Sequence, residues 1–170
     1  MAVNKLPVFF IRIGVLKMYN DKILSTHNLK NLNYEETKKN VNMYFKNLEI
    51  LQWEVLKLNR QNGLTAKYDF SVEYEKQPYI PIGKDEFNLS AKESAEEQFK
   101  KFILAYYWAK SVLSDKEQLY ITEYYINHKN ENELLDLLGF DYIYNYNFRK
   151  LKRSAIYKFA DFLNLVVEKN

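Results

Sequence analysis

The chain of 170 residues has no cysteine, only four glycines, three prolines and two histidines. Without cysteine there is no disulfide, no thiolate-ligated zinc and no thiol nucleophile. Four glycines leave no Gly-rich loop to cradle a phosphate. His27 and His128 lie far apart in sequence and suggest no local metal pair. The adjacent acids Glu35/Glu36 and Glu96/Glu97 fall at expected helix starts, where the helix dipole favours them without any acid–base chemistry. No catalytic residue, metal site or cofactor is expected, and we read the chain as no enzyme.

Long apolar runs are also missing. The most apolar stretch, "VFFIRIGVL" at residues 8 to 16, is broken by Arg12, is too short to span a bilayer and lacks a small-residue cleavage site. No membrane partner is expected, and the cytoplasm is the expected location. Residues 1 to 17 read as an upstream start ahead of Met18, as a loosely packed strand, or as a true core strand. Charge of one sign is scarce too. The net charge is +3, so any nucleic-acid surface must come from where charge sits rather than from its total. The 15 tyrosines accompany many Asn, Lys and Ile, so they count as compositional bias before they count as stacking groups.

What the sequence does have is helix starts. A capping box places Ser, Thr, Asn or Asp three residues before Glu, satisfying two orphan amides reciprocally. The pattern occurs at Asn33…Glu36, Ser90…Glu93, Ser114…Glu117 and Asn130…Glu133, each before an apolar-periodic run. The expected class is all-α, with room for a small β hairpin or arm. A first long helix is expected from about Tyr34 to Arg60. Its seam is Val41, Tyr44, Leu48, Leu51, Val55 and Leu58, widened by Phe45, Trp53 and Leu56, and it stops near Gly63. A second, Ala91 to Val112, carries Ala95, Phe99, Phe102, Tyr106, Ala109 and Leu113. The two seams suit an antiparallel hairpin within one chain, and a homodimer through a remaining apolar edge is the alternative. Between them Tyr68, Phe70, Val72 and Tyr74 alternate as a strand does, until Pro78 and Pro81 end any ladder. The expected division is an arm at 1–33, a helical hairpin at 34–112 with an extended insertion at 63–89, and a third unit at 113–170.

That third unit carries the functional signal. A helix from Asp115 to about Asn127, a polar turn, a two-turn helix from Glu131 to Leu138 with Leu134, Leu135, Leu137 and Leu138 buried, and a turn through Gly139 lead to a long helix. Asp141 is expected to cap this last helix, which runs from Tyr142 to about Val167. This is a helix-turn-helix layout. Phe148, Leu151, Ala155, Phe159 and Phe162 mark the inner side of the last helix, broadened by Ile156 and Leu163. Arg149, Lys150, Lys152, Arg153 and Lys158 mark the outer side, with no acid between 142 and 160. Tyr142, Tyr144, Asn145 and Asn147 are the expected base-facing residues of a major-groove helix. Arg149, Lys150, Lys152 and Arg153 are the expected phosphate contacts, and the expected partner is double-stranded DNA.

The ordered set "LSDKEQLYITEYYI…NELLDLLGFD…FRKLKRSAIYKFADFL" resembles region 4 of sigma factors. Leu113, Ser114, Glu117, Leu137, Leu138, Gly139, Ala155 and Ile156 carry the likeness. With its helical amino-terminal half, the chain resembles the ArpU/RinA-like phage regulators of late transcription. That resemblance implies a long amino-terminal helical hairpin followed by a sigma region 4-like helix-turn-helix. It also implies a protein that binds promoter DNA and activates transcription with the host RNA polymerase, as an oligomer. The aromatic start "DYIYNYNF" and the modest net charge leave room for another class, a protein-binding antagonist that keeps the fold and acts on another transcription regulator. A structural adaptor built on the helical hairpin is a third.

Overall fold

The computed structural model describes residues 31–61, 93–142 and 145–169. Among them the chain forms five α-helices and no strand. They are α1 (Tyr34–Gln61), α2 (Ala95–Ser111), α3 (Asp115–Ile121), α4 (Glu131–Leu138) and α5 (Tyr146–Phe162), and α3 runs on into one π-helical turn at Thr122–Ile126. Most of the amino-terminal arm, the Gly63 stop, the strand at 68 to 74 with its prolines, and Tyr144 lie outside the described residues.

Helix starts follow the side chains that can cap them. Asn33 Oδ1 accepts the Glu36 amide at 3.2 Å and opens α1. Asn130 and Glu133 form a complete reciprocal box on α4, at 2.8 and 3.1 Å. In "SAKESAEE" two overlapping Ser-x-x-Glu patterns compete, and α2 uses the later one. The Ser94 amide donates to Glu97 Oε2 at 3.0 Å, and Glu97 N–H donates to Ser94 Oγ at 3.3 Å. The helix therefore begins at Ala95, four residues after the expected Ala91. Glu93, expected within the box, instead pairs with Lys101 at 3.0 Å.

Both long seams are buried. Val41, Tyr44, Leu48, Leu51 and Val55 of α1 meet Phe99, Phe102, Tyr106 and Ala109 of α2, and the Tyr44 and Phe102 rings stack at 5.2 Å. Of the expected members Leu56 is half-buried, and two are exposed. Trp53 sits two residues from both Leu51 and Val55, hence on the far side of the helix, and is 54% exposed. Leu58 is 41% exposed, because α1, 28 residues and roughly 42 Å long, outruns the 17 residues and roughly 26 Å of α2.

α5 plugs the gap between these helices. The Phe159 ring contacts Phe45 at 5.2 Å, Tyr44 at 5.7 Å and Tyr106 at 6.3 Å, so residues 34–61 and 113–165 share one apolar core. The π turn serves the same core. Its i→i+5 bond, Asn127 N–H to Thr122 O at 3.1 Å, accompanies a Tyr125 ring stacked on Phe45 at 4.3 Å. His128 then reverses the chain with φ 53° and is exposed.

α5 ends five residues before the expected Val167. Asn164 takes a left-handed φ of 55°, and Leu165 N–H reaches back to Ala160 O at 2.7 Å, a Schellman-type stop sealed by buried Leu165. The freed tail becomes a strap along the start of α1. Asn33 N–H donates to Val167 O at 2.8 Å, Lys169 N–H to Asn31 O at 2.7 Å, and Val167 N–H to the buried Thr37 hydroxyl at 3.0 Å.

α4 keeps its expected bounds and ends at Gly139, whose φ is 73°. Leu134, Leu135 and Leu138 are buried, but a two-turn helix buries one face only, and Leu137 on its flank is 46% exposed. A β-carbon at Gly139 meets nothing within 4 Å, so its cost is purely conformational. Gly139→Ala is expected to lower the unfolding free energy by about 1–2 kcal/mol in chemical denaturation, with an unchanged m-value.

Candidate nucleic-acid interface

α5 starts at Tyr146, not Tyr142, and its cap is Asn145, not Asp141. Asn145 Oδ1 accepts the amides of Asn147 at 2.9 Å and Phe148 at 3.4 Å, while its own amide donates to Tyr142 O at 3.0 Å. Asp141 is exposed one turn earlier. An Asn whose carbonyl oxygen holds two helix amides cannot also offer that oxygen to adenine, which a bidentate Asn–adenine contact needs. Asn145 thus builds the end of the helix, and the base-facing role expected for it is withdrawn. Asn147, in the first turn, is exposed, and so are Tyr142 (57%) and Tyr146 (70%).

The expected row of cations separates by position. Lys152 Nζ meets Glu131 Oε1 of α4 at 2.7 Å and lies 5.0 Å from the centre of the Phe148 ring. Its side chain is only 16% exposed. Lys158, expected on the outer side, pairs with Glu117 of α3 at 3.0 Å. Arg153 is exposed, with its guanidinium carbon 5.1 Å from the centre of the Tyr34 ring. Arg149 and Lys150 are exposed and make no ion pair among the described residues. Tyr146, Arg149, Lys150 and Arg153 fall at i, i+3, i+4 and i+7, which is one face of a helix. The result is a helix fastened on both flanks, with a strip of two free cations, one ring-stacked cation and a tyrosine left outward.

Glu117 is what fastens one flank, and the sequence marked it only as part of a capping box and of the sigma-like ordered set, not as a partner of the last helix. It is 4% exposed. The Ser114 amide and hydroxyl donate to its Oε2 at 2.9 Å, the Ser154 hydroxyl donates to Oε1, and Lys158 spans both oxygens at 3.0 Å. Burial pushes its carboxyl pKa up. The Ser154, Ser114 and Lys158 donors together outweigh that and hold it below the ordinary carboxylate value. Glu117 is therefore charged at neutral pH, and it joins the first helix of the helix-turn-helix to the middle of the last.

The potential of the unit is mixed. Residues 113 to 170 carry eight Lys and Arg against nine Asp and Glu, a net charge of −1. Glu133, Asp136 and Asp141, in the same unit, are exposed. The positive field is thus local to the first three turns of α5. Among the described residues no three His, Asp or Glu side chains group as metal ligands, and no helix is long and apolar enough to cross a membrane.

The two asparagines have separable expected phenotypes. Asn145→Ala should cost about 1 kcal/mol of stability through loss of the cap, read by thermal or chemical unfolding. Asn147→Ala should leave stability within about 0.5 kcal/mol and flatten base preference in a binding-site selection. Comparison with known proteins returns no matching family model, no matching curated protein and no matching solved structure.

Proposed function

We propose that the protein binds double-stranded DNA through the solvent strip of α5 and acts as a transcriptional regulator, in the manner of the ArpU/RinA-like phage activators that the sequence resembles. The observation that supports this best is the fastening of α5. Lys152 and Lys158 hold the helix in place, and Arg149 and Lys150 stay free at the end where Tyr142, Tyr146 and Asn147 are exposed. A helix held on both flanks and bare along the third side suits entry into a major groove. Asn147 and the two tyrosines would face base edges, while Arg149, Lys150 and Arg153 would neutralise phosphates. Host RNA polymerase, another regulator, or a second copy of the chain are the protein partners of this reading, which assigns no catalysis and no cofactor.

The test is selection from a random duplex pool, followed by binding of the winner across a salt series. Two to three phosphate contacts predict a slope of about −2 to −3 in log K against log salt, at roughly 0.9 per contact. Recovery of no enriched sequence, with no salt-sensitive binding to any duplex, would refute it.

The exposed acids Glu133, Asp136 and Asp141 favour a second reading. A surface with both signs of charge and two bare tyrosines also suits a protein partner, such as another transcription regulator, which the chain would antagonise. Pull-down of a purified regulator by the wild type, abolished by Tyr142→Ala with Tyr146→Ala and indifferent to duplex DNA, would establish that reading instead.

A further inference from the structure

α1 has a second seam. Its core side is Val41, Tyr44, Leu48, Leu51 and Val55. On the opposite side Met43, Lys46, Ile50, Trp53 and Lys57 recur at alternating steps of three and four. Met43 is 52% and Trp53 54% exposed, and Ile50, at the centre of the row, is half-buried. Two bare apolar side chains of this size on one helix face are a surface that water does not favour. The charges along the row are placed with symmetry. Lys46 stands four residues before Ile50 and Glu54 four after it. Both are exposed, and neither makes an ion pair among the described residues.

That arrangement selects its own occupant. In a two-fold contact the same patch serves both partners, and residue i meets j where j meets i. We propose that a second copy of this chain docks antiparallel on this face, with Ile50 on the two-fold axis and Lys46 of each copy opposite Glu54 of the other. In this register Trp53 falls beside Ile50 of the second copy, and Met43 lies against the alkyl stem of Lys57. A parallel pairing in register would set Lys46 on Lys46 and Lys57 on Lys57, so like charges exclude it. The paired stretch, residues 42 to 58, is about 26 Å long at 1.5 Å per residue. That places the contact at the small end of specific interfaces, with dissociation on the order of micromolar. The assignment deepens the partner reading above by naming the second copy as the occupant, and it does not depend on DNA binding.

Sedimentation velocity of the full chain without DNA tests it. The wild type should pass from monomer to dimer as concentration rises through tens of micromolar. Lys46→Glu alone and Glu54→Lys alone should each weaken the dimer about tenfold or more, since each change acts at two symmetric pairs. The double variant should restore it. The two single variants, mixed, should pair with each other as tightly as the wild type pairs with itself. Trp53→Ala should abolish the dimer with helicity unchanged, since Trp53 lies off the core. Arg149→Glu with Lys150→Glu should dimerise normally, which separates this assignment from the DNA reading. A chain that stays monomeric at all concentrations, as it would if its own residues cover the face, overturns the proposal. So does a dimer indifferent to the single charge changes, or one the double variant fails to restore.

Discussion

Arg149→Glu combined with Lys150→Glu is expected to abolish duplex binding, by at least about 100-fold at physiological salt, with helicity and unfolding unchanged. The two side chains are exposed and make no ion pair among the described residues, so the fold loses nothing with them. If the strip meets phosphates as proposed, each reversal removes one contact and adds one repulsion at the same place. Each contact released should also lower the salt slope by about 1. Lys152→Glu is the instructive contrast. It sets a carboxylate against Glu131, which Lys152 meets at 2.7 Å. Its first effect should therefore be on stability, with DNA affinity falling only as α5 loosens on α4. Equal binding losses from the three changes, with no difference in stability, would mean that the flank and the strip are not distinct surfaces.

Glu117→Ala is expected to be strongly destabilising, costing about 2–3 kcal/mol in chemical denaturation. It leaves Lys158, with 23% of its side chain exposed, facing the Ser154 hydroxyl and the Ser114 amide with no shared acceptor. Ser154→Ala removes one of several donors and should cost about 1 kcal/mol. The pH dependence has a definite sign. The folded Glu117 carboxyl is held below its unfolded value, so its contribution is complete above the unfolded pKa, near 4.3, and is lost as pH falls through the folded one. Stability of Glu117→Gln should accordingly fall less steeply than wild type between about pH 5 and acid unfolding.

Local chemistry was legible in the sequence. Asn33, Ser114 and Asn130 open the helices expected of them, α4 has its expected ends, and Gly139 takes the left-handed turn assigned to it. On the inner side of α5 Phe148, Ala155, Ile156 and Phe159 are buried as their spacing requires, while Leu151 and Phe162 are half-buried. The start and end of α5 were not legible, because apolar periodicity sets the phase of a helix and not its limits. Asp141 and Asn145 are both good caps four residues apart, and the same inward register serves either. Asn164, which stops the helix, is an ordinary polar residue until the tail finds Thr37 and Asn33 of α1 to bond.

The fate of the cations depended on contacts that span the sequence. Lys152 and Glu131 are 21 residues apart, and Lys158 and Glu117 are 41 apart. No spacing rule on α5 alone can tell a lysine that faces water from one that has a carboxylate waiting on a neighbouring helix. The absence of acids between 142 and 160 is true of the helix and misleading about its surroundings. Of four expected phosphate contacts, Arg149 and Lys150 keep a free cation, Arg153 rests on Tyr34, and Lys152 is engaged.

The most direct measurement uses the absence of cysteine. A single cysteine introduced as Lys150→Cys and carrying an iron chelate cuts DNA only where it lies close to the sugar backbone, and Leu58→Cys provides a probe on the exposed end of α1. Cleavage is expected at a few adjacent nucleotides on each strand from the α5 probe, and none from the α1 probe. Duplex binding that persists with no cleavage from the α5 probe, or with equal cleavage from both, would contradict the proposed placement of α5 on DNA.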